Sequence, residues 1–169
     1  MLTDTVGSYS LVHALDTMRS VAELALLAYN TSDEGKDTPK TGFYGSIYTV
    51  ESAIAKVPLA TVLFGELTPD LAVKYRHHCQ EKGCRLGEHI AEGHVSSFQS
   101  ADMKERWPGA VLIGEDYILS GSGLPWKHDE SFTLITGLNL GLTNENTVRE
   151  IATISENELL LPPRYIKVG

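Results

Sequence analysis

Two polar stretches of this sequence carry side chains that could do chemistry. The first is His94-Val95-Ser96-Ser97-Phe98-Gln99-Ser100-Ala101-Asp102, followed by Trp107-Pro108. It mixes an imidazole, hydroxyls, an amide, a carboxylate and aromatic rings in a connection longer than most, and long loops in compact domains are often functional. The second is Ser120-Gly121-Ser122-Gly123-Leu124-Pro125, a glycine-rich turn with His128, Asp129 and Glu130 just beyond it. Consecutive N–H groups ahead of a helix can hold an anion, and the hydroxyls of Ser120 and Ser122 add donors. Asp129 and Glu130 complement the same helix dipole and would repel that anion. A fold that laid one stretch beside the other would make a polar-lipped, aromatic-sided cleft. His94, Ser97, Gln99, Ser120, Ser122 and His128 are its expected ligand-binding side chains.

Metal and nucleophilic readings of the same residues are weaker. His77, His78, His89, His94 and His128 stand with Cys79 and Cys84 nearby. His78 and His89 share a helical face but lie three turns apart, roughly 16 Å, whereas paired ligands need one turn. No spaced signature demands a metal, and solvated histidines are the simpler account. Gly121-Ser122-Gly123 superficially resembles a nucleophile turn, but the elbow form needs glycines where Ser120 and Leu124 stand. His128 and Asp129 lie too close on one helix start to orient a triad easily. No catalytic residue is assigned.

The elements that must position these stretches follow from periodicity. Leu11, Leu15, Met18, Ala22, Ala25 and Tyr29 recur at steps of four and three, which predicts a helix with one buried face. The segment from Asn30 to Thr41 is polar, contains Gly35 and Pro39, and reads as a loop. Strands are predicted around Phe43–Val50 and Val57–Leu67, with a turn over Ser52–Lys56; Pro58 puts the start of the second strand in question. Thr68-Pro69-Asp70 then opens a helix with a capping hydroxyl and a first-turn proline, and Ala72, Tyr75, Cys79 and Leu86 line its inner face. Cys79 and Cys84 fall about 140° apart on it and should not pair. Gly109–Gly114 and Tyr117–Ser120 form a hairpin closed by Glu115-Asp116. A third helix covers Asp129–Leu142, and a short terminal one Asn144–Ile154 ahead of Leu159-Leu160-Leu161-Pro162-Pro163. The order α-β-β-α-β-β-α, with no strand–helix–strand alternation, predicts an α+β fold: a layered antiparallel sheet flanked by helices.

Length and composition agree with one domain over residues 1–169, carrying a short C-terminal extension from about 144. A net charge of −8, with 14 Lys and Arg scattered along the chain, disfavours nucleic acid and anionic membrane surfaces. The first twenty residues lack the basic start and continuous apolar core of a signal peptide, and no run approaches a membrane span. The cytoplasm is the expected location, and reduced thiols suit it.

The segment Ser120-Gly121-Ser122-Gly123-Leu124-Pro125, between a strand and a helix opening with His128-Asp129-Glu130, resembles the closing segment of the GlcG/HbpS-like family. Ala72–Leu86 and the Ser96–Ser100 loop are similar to that family's central helix and loop. The resemblance implies a profilin-like layered fold, frequent homo-oligomerisation and, in some members, binding of haem or another small molecule. The expected function is therefore binding of a small molecule or cofactor. The alternatives are a homo-oligomeric structural or regulatory assembly protein without catalysis and, last, an enzyme.

Overall fold

The structure is a computed structural model and describes residues 5–161. A two-stranded ribbon, β1 (Thr5–Val6) and β2 (Tyr9–Ser10), leads into α1 (Leu11–Thr31), where the Ser10 hydroxyl accepts the His13 N–H. A four-stranded antiparallel sheet forms the centre, in the order β4-β3-β6-β5: β3 (Gly42–Thr49), β4 (Ala60–Gly65), β5 (Ala110–Ile113) and β6 (Tyr117–Ser122). Between its two hairpins runs α4 (Pro69–His89), and after them α5 (Trp126–Asn139) and α6 (Glu145–Ile154). The chain is thus of the expected α+β class, an antiparallel sheet flanked by helices, and the expected order α-β-β-α-β-β-α holds for its larger elements, with the β1–β2 ribbon and further short helices added.

Strand alternation explains the layers, because successive side chains on a strand face opposite ways. On β3, Phe43 and Ile47 join Met18, Val21, Leu119, Phe132 and Leu134 in the larger core, under α1 and α5. The intervening Ser46 and Tyr48 face α4: the Ser46 hydroxyl lies 3.3 Å from Cys79 Sγ, and the Tyr48 ring lies under Gly83. A side chain at Gly83 would sit 2.7 Å from that ring, so the glycine sets how closely α4 approaches the sheet. Both faces of the sheet are therefore covered, and β3 reads as a nearly continuous buried run.

Several local expectations change. Within the polar segment after α1, α2 (Asp33–Asp37) forms because the Ser32 hydroxyl caps Gly35 N–H and two acids occupy its first turn. The turn expected at Ser52–Lys56 is mostly α3 (Val50–Ile54), started by a reciprocal capping box between Thr49 and Ser52. Strand β4 begins at Ala60 rather than Val57, two residues beyond Pro58. The Thr68 hydroxyl makes no capping bond to α4, although Pro69 occupies the first turn as expected. Helix α5 starts at Trp126, earlier than Asp129. The C-terminal extension is no loose appendage, since Val148 and Ile151 of α6 join the larger core. Pro162 and Pro163 of the apolar tail lie outside the described residues, and Leu159 is 47 % exposed.

Candidate functional site

Most of the polar stretch from His94 to Trp107 is consumed in building the fold. Ser97 is fully buried, and its Oγ accepts the N–H groups of Gly109 and Ala110 at 3.1 and 2.9 Å. Gln99 Oε1 accepts the N–H groups of Val95 and Ser96, closing a capping box over the short 3-10 turn Ser97–Ser100. The buried Arg85 of α4 ties this loop down, donating to Ser97 O, Ser100 Oγ and Trp107 O at 2.7–2.8 Å and to Glu81 at 2.6 Å. Asp102 Oδ1 accepts three successive N–H groups, of Arg106, Lys104 and Glu105, which hold its carboxyl down at about 2. His94 packs near His89, ring centroids 5.1 Å apart, with Glu92 3.9 Å from its Nε2, while its Nδ1 is buried without a partner among the described residues.

The glycine-rich turn divides in two. Ser120 is fully buried and donates to Cys79 O at 2.7 Å, a bond between β6 and α4. Ser122 is 4 % exposed and lines an open cleft, and its hydroxyl makes no hydrogen bond to the described residues. His128 packs edge-on against Tyr29 at 5.2 Å and lines a separate apolar groove of about 390 Å³ between α1 and α5. Burial lowers its pKa, favouring the neutral imidazole. Of the six expected side chains, Ser122 alone borders this cleft; the structure does not bring the others to it.

The cleft holds about 520 Å³ and opens between α4, the connection from α1 to β3, and the Ser122–Pro125 turn. At the turn Gly123 has φ +134°, and a side chain there would meet Phe43 at 2.7 Å and Tyr75 at 2.8 Å. Beside it lies Lys82, only 2 % exposed, whose ammonium donates to Gly121 O at 2.9 Å and to Asp129 Oδ2 at 3.0 Å. Asp129 Oδ1 in turn accepts Leu124 N–H at 3.0 Å. Burial pushes the Asp129 carboxyl up, while Lys82 and the turn's N–H groups pull against it. An ammonium carries three protons, so Lys82 keeps one that these two bonds do not use.

Two further cations, Lys40 and Lys74, line the cleft, and neither makes a salt bridge with the described residues. His78 lines it as well; burial and the charge of Lys82 lower its pKa, favouring the neutral form. Glu34 is the carboxylate on the opposite lip. The two acids expected to repel an anion are otherwise engaged. Asp129 is matched by Lys82, and Glu130 accepts hydrogen bonds from Ser96, Ser155 and Asn157 at 2.7–2.9 Å, with burial pushing its carboxyl up.

The sequence reading missed Lys82, Lys40 and Lys74. For Lys82 a signal existed: Tyr75, Cys79, Lys82 and Leu86 step by four, three and four, which places a charge inside the buried stripe of α4. Lys40 and Lys74 come from segments distant in sequence and carry no such signal.

Fold and cleft together define an α+β protein with a cationic, aromatic-walled cleft at a strand-to-helix turn. No protein-family model, no curated protein and no solved structure matches the chain. Among the described residues no helix is long and apolar enough to cross a membrane, and no group of three or more His, Cys, Asp or Glu side chains could hold a metal ion.

Proposed function

We propose that this is a small-molecule-binding protein whose ligand is an anion seated in the cleft. The observation that carries the reading is the uncommitted proton of buried Lys82 in the same cleft as the Ser122 hydroxyl, which has no partner among the described residues; Lys74 lines it too, as does Lys40, which donates only to the Tyr75 hydroxyl at 3.4 Å. Three lysines against the carboxylates of Glu34 and Asp129 leave the lining with a positive balance on a chain of net charge −8, which favours an anion there. The GlcG/HbpS-like resemblance belongs to the same proposal, because its Ser-Gly turn and acidic helix start supply Ser122, Gly123 and Asp129 to the cleft.

Haem, which that resemblance implies for some members, is not the ligand proposed for this cleft. Neither His94 nor His128 lines the cleft, and His78, which does, stands beside the cations Lys74 and Lys82.

Thermal unfolding in the presence of benzoate, sulfate, phosphate and short-chain carboxylates tests the reading, because a ligand that binds only the folded state raises Tm with concentration. At least one anion is expected to raise it, and Lys40→Glu with Lys74→Glu is expected to abolish the rise. The proposal fails if no anion stabilises the protein, or if the stabilisation survives both charge reversals.

A second reading, homo-oligomeric assembly, is favoured by one observation. Val12, Leu24 and Leu27 of α1 are 69, 63 and 61 % exposed, and Leu24 borders the apolar groove that also takes in Leu159 and Leu160. Sedimentation velocity tests it: Leu24→Glu with Leu27→Glu should turn an oligomer into a monomer. A wild-type monomer at micromolar concentration would exclude this reading.

A further inference from the structure

We infer that the cleft selects an aromatic acid, a flat ring held among Trp107, Trp126 and Tyr75 with its carboxylate on Lys82 and Ser122. The inference rests on the anion-binding reading and deepens it from charge to ligand class. Both of the chain's tryptophans line this cleft, as do Tyr29 and Tyr75. Trp107 is left 39 % exposed at its edge, so part of its ring stays open to a ligand.

These rings are set before any ligand arrives. Trp107 donates its indole N–H to Lys104 O at 3.1 Å, and its own carbonyl accepts from Arg85 at 2.7 Å. Trp126 packs on Phe98 with centroids 5.4 Å apart, while the Lys127 ammonium lies 5.5 Å from its ring. Tyr29 directs its hydroxyl to Thr38 O at 3.0 Å. Aromatic walls fixed in advance favour a rigid flat partner, since offset or edge-on ring pairs gain energy beyond buried area and little ordering entropy is lost.

The polar anchor favours a carboxylate over a phosphate. It offers the third proton of Lys82 and the Ser122 hydroxyl, two donors for two oxygens. A more highly charged group would have to approach the Asp129 carboxylate, which already holds the same ammonium at 3.0 Å, and would face Glu34 on the other lip. Lys40 and Lys74 supply the attraction that a neutral ring would not use.

Isothermal titration calorimetry of the full chain, with tryptophan emission as a local reporter, tests this with four probes: 2-naphthoate, cyclohexanecarboxylate, 2-naphthol and inorganic phosphate. The expected result is that 2-naphthoate binds at least about tenfold more tightly than the other three and changes tryptophan emission. Trp107→Leu, at a partly exposed position, should weaken 2-naphthoate about tenfold and leave cyclohexanecarboxylate unchanged. Ser122→Ala should weaken both carboxylates. If cyclohexanecarboxylate or phosphate binds as well as 2-naphthoate, the ring preference is overturned while the anion reading stands. If 2-naphthol binds as well as 2-naphthoate, the carboxylate anchor is overturned. If no anion binds a chain that retains its wild-type circular dichroism and Tm, both readings fall.

Discussion

Replacing Lys82 by methionine isolates the charge at the base of the cleft. Methionine keeps most of the side chain's length and apolar stem but removes the ammonium that serves Gly121 O and Asp129 Oδ2. Asp129, 1 % exposed, would retain the Leu124 N–H on Oδ1 and lose its counter-ion. Removing one partner of a buried pair costs about 3–5 kcal/mol, because the remaining charge is left uncompensated. For a domain of this size that lowers Tm by roughly 6–20 °C. The pH dependence has a definite sign. Burial already raises the Asp129 carboxyl, and loss of Lys82 raises it further, so the penalty is greatest where the unfolded carboxyl is ionised and shrinks as pH falls toward its unfolded value of about 3.9. Urea unfolding of both proteins at pH 7, 5.5 and 4 should show the gap closing, and Lys82→Met with Asp129→Asn should recover most of the pH 7 loss. A loss under about 1 kcal/mol, a gap indifferent to pH, or a double variant no better than the single would refute the reasoning.

Three more outcomes are expected. Ser97→Ala, which orphans the buried N–H groups of Gly109 and Ala110, should cost about 2 kcal/mol or more in urea unfolding and leave 2-naphthoate affinity unchanged, because Ser97 supports the loop and does not line the cleft. Glu130→Gln turns an acceptor into a donor among Ser96, Ser155 and Asn157 and should cost about 1–3 kcal/mol. Because burial raises the Glu130 carboxyl, its favourable contribution is fullest below the unfolded value of about 4.3 and declines as pH rises through the folded one, and the glutamine variant should lack that decline in a stability–pH curve. Thiol titration with a disulfide reagent should count Cys84 alone in the native protein, more slowly than a free thiol, and two thiols in denaturant. Cys79 is fully buried, with burial raising it to about 11, and its appearance in the native count would contradict that packing.

The architecture was legible where one physical rule acted alone. The steps of four and three from Leu11 to Tyr29 mark a buried face, and they lie within α1. Pro69 and Asp70 open α4, and Glu115-Asp116 lies in the connection between β5 and β6. Boundaries slipped where short-range capping decided the outcome, as at Ser32, whose hydroxyl starts a helix inside a segment rich in loop residues. The cleft was less legible because sequence lists polar groups without showing which are already satisfied. Ser97, Gln99 and Ser120 have the right chemistry for a ligand, yet each is already hydrogen-bonded to a backbone group of the fold. Ser122 has the same chemistry with no partner among the described residues, a distinction that exists only after folding. The lysines were hidden differently, as surface-type residues until α4, the α1–β3 connection and the β6–α5 turn converge on them.

The hydrogen bonds to Glu130 also order events in time. Ser96 is made before Glu130 during synthesis, but Ser155 and Asn157 follow twenty-five and twenty-seven residues later. A nascent chain that has delivered both sheet hairpins and α5 still holds a carboxylate in a site meant to be dry, with one of its three partners in place. The sheet can form early, but its packing against α5 cannot become final until the segment after α6 has left the ribosome. The Ser155–Asn157 segment thereby completes this buried site, and a chain ending before Ser155 would leave the Glu130 carboxyl with Ser96 alone of its three partners.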